Sequence, residues 1–248
     1  MGKDRQLSEL LKYRYAHRGL HEKPVIAENS MTAFERAVIR GYGIELDVHL
    51  TADNRLAVIH DASLLRTCGK DVMINEITMT KAKSCHLEES RDGIPELREV
   101  LDMVAGRIPL IIELKTDGAN RESLCRRTLR ELEKYDGPFC VESFDPMAVR
   151  WFKKNRPHIV RGQLAGRIKD EGGKMNPLSD YMLRHLWVNL VSDPDFVAYR
   201  FEDRECKALK RYDGPRFFWT IKKYEDLRTA EALGAAAIFE RFDPADQS

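Results

Sequence analysis

The sequence predicts an α/β protein, a single (β/α)8 TIM-type barrel with a small excursion after the strand ending at His60. Three observations carry that expectation. Short apolar, β-branched runs alternate with longer amphipathic ones, the pattern of strands feeding helices around a parallel sheet. About eight such units fit into 248 residues, and closed barrels commonly take about 250. No G-x-G-x-x-G or Walker-type loop follows the first strand, although a doubly wound nucleotide-binding sheet would want one there.

Strands are expected at YRYA (13–16), GIELDVHL (43–50), LAVIH (56–60), IPLIIELK (108–115), PFCVES (138–143), HIVRGQL (158–164), LWVNLVS (186–192), RFFWTI (216–221) and AAAIFE (235–240). Helices are expected between them. Asn29 or Ser30 can cap MTAFERAVIR, which Gly41 stops. PELREVLDMV opens on Pro95, spaces Leu97, Val100, Leu101 and Val104 along one face, and ends at Gly106. RESLCRRTLRELEKY, DPMAVRWFKK, DFVAYRFEDRECKALKRY and YEDLRTAEALG follow the same grammar. The sequence echoes itself at Tyr-Asp-Gly-Pro, residues 135–138 and 212–215, each time between a helix and a strand. Residues 61–95 break the rhythm with polar, turn-rich sequence, and read as a small cap-like insertion at one rim of a single domain spanning 1–248.

Charge and composition exclude several classes of partner. Lys plus Arg number 41 against 40 for Asp plus Glu, a net charge of +1, so no basic footprint for nucleic acid exists. No polybasic block and no apolar run of membrane-span length is present, so stable membrane anchoring is not expected. The five cysteines (Cys68, Cys85, Cys125, Cys140, Cys206) are widely spaced, without Cys-x-x-Cys. Free thiols in a reducing cytoplasm fit that usage better than a disulfide framework or a zinc site. The oligomeric state is not legible.

The chemistry gathers at strand ends. In YAHRGLHEKPVIAENS, Gly19 frees the backbone to turn sharply behind His17 and Arg18, so both can face one ligand. Glu45 and Asp47 stand two apart in GIELDVHL and therefore share a strand face, opposite Leu46 and Val48. Ile111 faces the same way as Glu113 and Lys115, so an acid and a base finish an otherwise buried strand. Three carboxylates without His or Cys describe a hard-cation site, suited to Mg²⁺ or Ca²⁺. Lys115 beside it is either a phosphate partner or a snorkelling rim lysine. His17 and His60 both close apolar runs, at the rim where parallel barrels collect catalytic groups, and a pair of near-neutral histidines can move protons on both sides of a substitution. Asp61 either orients the His60 ring or, as the turn-rich sequence after it suggests, starts the turn. His21, His49, His86, His158 and His185 lack such companions and read as structural.

The stretch HRGLHEKPVIAENSMTAFERAVIRGYGIELDVHLTADNRLAVIHD resembles the opening of the glycerophosphodiester phosphodiesterase family: His-Arg-Gly, Glu-Asn-Ser before a helix, Glu-x-Asp, Thr-x-Asp and His-Asp. The likeness continues through Arg66, IPELREVL and IIELK, and thins to ESFDP, FWTI and LGAAAIFE. The resemblance implies a barrel that uses a divalent cation to hydrolyse glycerophosphodiesters to glycerol 3-phosphate and an alcohol. It implies His17 and His60 as the acid–base pair, and Glu45, Asp47 and Glu113 as metal ligands. Arg18 and Lys115 would hold phosphate oxygens, with Trp219 in the substrate pocket, and Glu28 and Asn29 would build the first loop. The family often ends Trp-Thr-Val-Asn and Thr-Asp-x-Pro. Lys222 and Glu240 replace that Asn and Asp, a change expected to fall on the alcohol or glycerol contacts and to leave the metal and histidine sets intact. Two other readings remain at this stage: a lysophospholipase D-like activity on single-chain lipids, and a phosphoester-binding barrel without catalysis.

Overall fold

Strands buried on both faces must put one face toward the barrel axis and the other toward the helices, and alternation along each strand decides which residues go where. A computed structural model describes residues 2–167 and 176–247. Its strands are β1 (Arg14–His17), β2 (Gly43–Leu50), β3 (Leu56–Val58), β4 (Leu110–Leu114), β5 (Phe139–Ser143), β6 (Arg161–Ala165), β7 (Phe196–Arg200), β8 (Arg216–Ile221) and β9 (Ala236–Phe239). Eight run parallel in the order β1-β2-β4-β5-β6-β7-β8-β9, and β9 pairs with β1 to close the ring. The fold is thus the (β/α)8 barrel that the alternation predicts.

Inside the ring, Tyr15, Ile111, Cys140, Phe217 and Ile238 form an apolar floor with Leu7 and Leu10. The last two belong to a helix, Lys3–Leu10, that sequence periodicity did not announce. Outside the ring, Ile44, Leu46, Val48, Leu110, Ile112 and Leu114 meet Phe34, Ala37, Val100 and Leu101 of the surrounding helices. Each Leu, Ile, Val or Phe side chain so buried contributes about 1.5–3 kcal/mol. The helix Met31–Arg40 begins where the Ser30 hydroxyl accepts from the Ala33 N–H, and ends at Gly41 in the left-handed conformation. The two Tyr-Asp-Gly-Pro turns share a device: a Cβ on Gly137 would strike the ring of Tyr135, and one on Gly214 the ring of Tyr212.

Three expectations need correction. Residues 186–192 are not a strand; they form a turn and the short helix Asn189–Ser192, with Trp187 and Leu190 exposed. The neighbouring DFVAYRFEDRECKALKRY is not one helix, because Phe196–Arg200 is β7. Phe196, Val197, Ala198 and Tyr199 are all buried, and a short run apolar on both faces cannot be told from helix by periodicity. Finally, the strand expected at 56–60 is no stave of the barrel. β3 pairs antiparallel with β2, so the chain overshoots the rim, turns, and returns.

The excursion that follows carries short helical turns at Leu65–Cys68, Ile74–Glu76 and Met79–Lys83. It has its own apolar cluster, including Leu64, Ile74, Met79, Ala82, Leu87 and Ile94. No helix among the described residues is long and apolar enough to cross a membrane, and all five cysteines are free.

Candidate active site

Two residues beyond the apolar floor, the same interior faces become charged. Register places His17 beside Glu45, Asp47 beside Glu113, and Glu113 beside Glu142 on successive strands. Glu45, Asp47 and Glu113 are buried, and one oxygen from each lies within 4.8 Å of the others, a group able to hold a metal ion. Three hard oxygen donors suit a divalent cation that keeps further positions for water or substrate.

The surrounding charges decide how this cluster is ionised. Burial, reinforced by Asp47, Glu113 and Glu142, pushes the Glu45 carboxyl well up. Burial also opposes ionisation of Asp47, yet Lys115, His60, Arg18 and the Asn29 amide outweigh it and hold that carboxyl well down. Glu142, buried beside Glu113, is pushed well up by burial and by Glu113 and Asp47. Lys115 Nζ lies 2.8 Å from Glu113 Oε1 and 3.1 Å from Asp47 Oδ1, so it turns inward instead of snorkelling.

The first loop braces the cluster from above. Arg18 and Asn29 both adopt positive φ, 56° and 54°, a conformation unusual for residues with side chains. There the Arg18 N–H donates to Glu45 Oε2 (3.1 Å) and the Asn29 amide donates to Asp47 Oδ2 (2.8 Å). The Arg18 guanidinium bonds Glu28 (2.9 Å) and lies 3.4 Å from Asp47. Gly19 is obligatory for two reasons: its φ is +83°, and a Cβ would sit 2.9 Å from Ala33 and Phe34. Glu28 does more than build the loop. It gathers Arg18, Arg66 and Lys23, and against the cost of burial those cations hold its carboxyl well down.

Each histidine is braced by a carboxylate. His17 Nδ1 is 2.8 Å from Glu240 Oε2, and its Nε2 is 3.9 Å from Glu45. His60 Nδ1 is 2.6 Å from Asp61 Oδ1, and Arg66 holds the other oxygen of Asp61. Asp61 therefore orients the ring, where sequence favoured a mere turn residue. Burial and Arg18 lower the basicity of His17 despite Glu240. His60 lies at the rim because the antiparallel return of β3 brings it back beside Asp47, with the Ile59 N–H donating to the Asp47 carbonyl (3.1 Å).

His17, His60, Arg18, Lys115, Glu113 and Glu240 line a cavity of about 1130 Å³, together with Arg66, Arg167, Arg200, Lys222 and the aromatic pair Phe144 and Trp219. Trp219 is anchored by its indole N–H to the Ala198 carbonyl (3.0 Å), and its ring meets Phe144 edge-on at 5.6 Å. The two departures from the family's usual ending touch each other, Lys222 Nζ lying 3.6 Å from Glu240 Oε1. Glu240 also bears on the histidine set, contrary to expectation. No local signal could show this, since 223 residues separate it from His17.

A ring of eight parallel strands with its charged side chains at one rim is a TIM-type barrel. Within that class, residues 17–242 match the glycerophosphoryl diester phosphodiesterase family. A glycerophosphodiester phosphodiesterase of Caldanaerobacter subterraneus subsp. tengcongensis is 27% identical over 236 residues, covering 90% of this chain and 91% of the relative. Another, from Bacillus altitudinis, is 36% identical over 156 residues, 58% of this chain and 63% of that one. An Oleispira antarctica phosphodiesterase, solved with the product sn-glycerol-3-phosphate, shares the fold at a TM-score of 0.78, with 22% identity and 97% of both chains covered. The chain belongs to the glycerophosphoryl diester phosphodiesterase family, and is a phosphodiesterase of that class.

Proposed function

We propose that the protein hydrolyses glycerophosphodiesters to glycerol 3-phosphate and an alcohol, with His17 and His60 as its acid–base pair. One observation carries the reading: two carboxylate-braced histidines and two inward-facing cations line one cavity with Glu113, a member of a buried three-carboxylate cluster. Glu45, Asp47 and Glu113 would hold a divalent cation, Mg²⁺ or Ca²⁺, which when bound supplies positive charge to the phosphate oxygens. Arg18 and Lys115 add cationic partners for those oxygens, stabilising charge where it grows in the transition state. One histidine takes the proton from the attacking hydroxyl, either that of water or that of the substrate's own glycerol, in which case water then opens the resulting cyclic phosphate to glycerol 3-phosphate. The other gives a proton to the departing alkoxide as the phosphorus–oxygen bond breaks. Trp219 and Phe144 offer the remainder of the substrate an aromatic wall. The five free cysteines support work in a reducing compartment such as the cytoplasm.

Incubation with glycerophosphocholine, glycerophosphoethanolamine and a lysolipid, each with Mg²⁺ or Ca²⁺, tests the reading through released glycerol 3-phosphate and alcohol. Metal-dependent release of glycerol 3-phosphate from the first two is the expected result. Turnover of the lysolipid alone would move the activity to single-chain lipids. Binding without turnover of any of the three would make the barrel a phosphoester receptor.

A further inference from the structure

We propose that Glu240 is the positioning residue of His17, holding the Nδ1 proton so that Nε2 faces the reacting phosphoester, with Lys222 and Arg241 fixing the carboxylate. The inference rests on the reading of His17 as a catalytic group. Its basis is geometric. The last turn of the barrel brings β8 and β9 side by side, and the Glu240 N–H donates to the Ile221 carbonyl (2.9 Å), so Lys222 and Glu240 leave the sheet as neighbours. One carboxylate oxygen, Oε2, then meets His17 Nδ1 at 2.8 Å. The other, Oε1, lies 3.6 Å from Lys222 Nζ and 3.4 Å from Arg241 Nε.

A carboxylate offers no proton, so the short bond to Oε2 requires the proton to sit on Nδ1. The free imidazole then leaves Nε2 as its acceptor, on the side where Glu45 Oε2 stands 3.9 Å away. Burial works against ionisation of Glu240, but the hydrogen bond from His17, the His17 charge and Lys222 hold its carboxyl down at about 2. Asp61 gives His60 the same support at 2.6 Å, from a different element.

The two cations make a sharp test possible. In Glu240→Gln, Lys222 and Arg241 can only donate, so they draw the amide oxygen to the Oε1 side. The amide nitrogen is left facing His17, where it donates to Nδ1 and forces the proton onto Nε2, the wrong nitrogen. Glu240→Gln should therefore lower kcat about 10²-fold with KM within about threefold. ¹⁵N shifts of labelled histidine should show His17 protonated on Nδ1 in the wild type and on Nε2 in the variant. Glu240→Asp, still a carboxylate, should keep the Nδ1 proton and recover part of the lost kcat. Because glutamine matches glutamate in shape, melting temperatures should stay together and show that both proteins are folded. Wild-type kcat in Glu240→Gln, with His17→Ala inactive, would overturn the positioning role alone. So would a lost kcat with the Nδ1 proton unmoved, or an aspartate variant as slow as the glutamine one. Wild-type turnover in His17→Ala would overturn both readings, since nothing would remain to be positioned.

Discussion

The interior of the barrel has a floor and a rim, and they differ within two residues on the same strands. Tyr15, Ile111, Cys140, Phe217 and Ile238 are apolar or nearly so, interlocked, and close to zero exposure. His17, Glu113, Glu142, Trp219 and Glu240 stand two positions further on, along β1, β4, β5 and β8 and just past the end of β9, and four of the five are titratable. The floor fixes where each strand lies by burying hydrocarbon. The rim spends part of that stability on crowded, mutually repelling carboxylates that would move apart in any less rigid frame. Folding and the proposed chemistry are thus assigned to successive layers of one set of strands.

Substitutions can separate the two layers. The largest effect expected is on turnover alone: His17→Ala and His60→Ala should each lower kcat by roughly 10²–10⁴-fold and leave metal-dependent stabilisation in place. Near wild-type turnover in either would remove that histidine from the mechanism. The opposite extreme is Phe217→Ala in the floor. It should cost about 3–5 kcal/mol of stability by denaturant titration while the surviving folded fraction keeps its KM.

Glu45→Gln probes the boundary, since it removes a charge and keeps the shape. Without added metal, its stability should hold or rise, because burial and three acidic neighbours already work against ionisation there. An ion bound only by the native state stabilises it by about 2.7 kcal/mol at 100 times its Kd. That increment should shrink in the variant, and turnover should collapse. Equal melting temperatures for the wild type with chelator, Mg²⁺ and Ca²⁺ would sink the three-carboxylate site. Lys115→Met, which keeps the stem and loses the charge, should slow turnover about tenfold or more and move stability little. A variant that melts early with unchanged kinetic constants would make Lys115 a structural counter-charge.

The smallest effect concerns pH. Burial, and next the charge of His17, lower His21 from 6.5 to about 4. The folded state therefore prefers His21 neutral. Its stabilisation is complete above about pH 6.5 and drains away as pH falls toward 4, because the unfolded chain takes up the proton first. His21→Gln should flatten the stability curve across that window by a slope of at most about 1.4 kcal/mol per pH unit. Identical slopes in both proteins would refute it.

Legibility followed distance along the chain. Glu45 and Asp47 share a face by simple alternation, and Gly19 announces a turn, so the opening of the site could be read from local sequence. The helix capped by Ser30 was equally plain. Glu240 was not, because its meaning depends on ring closure bringing β9 against β1. β7 was missed because a strand buried on both faces loses the alternation that identifies strands. The polarity of β3 was hidden for a similar reason: an apolar run carries no arrow.

That return strand has a consequence for how such a scaffold can diversify. β3 supplies no stave, so no neighbour relation of the eight-strand ring runs through the hairpin or the insertion behind it. Yet His60, Asp61 and Arg66 all ride on that appended length of chain, and its private apolar cluster holds it in place. Half of the proposed proton machinery is therefore a module. It can be lengthened, shortened or re-aimed without renegotiating closure, whereas His17 is bound to the ring itself.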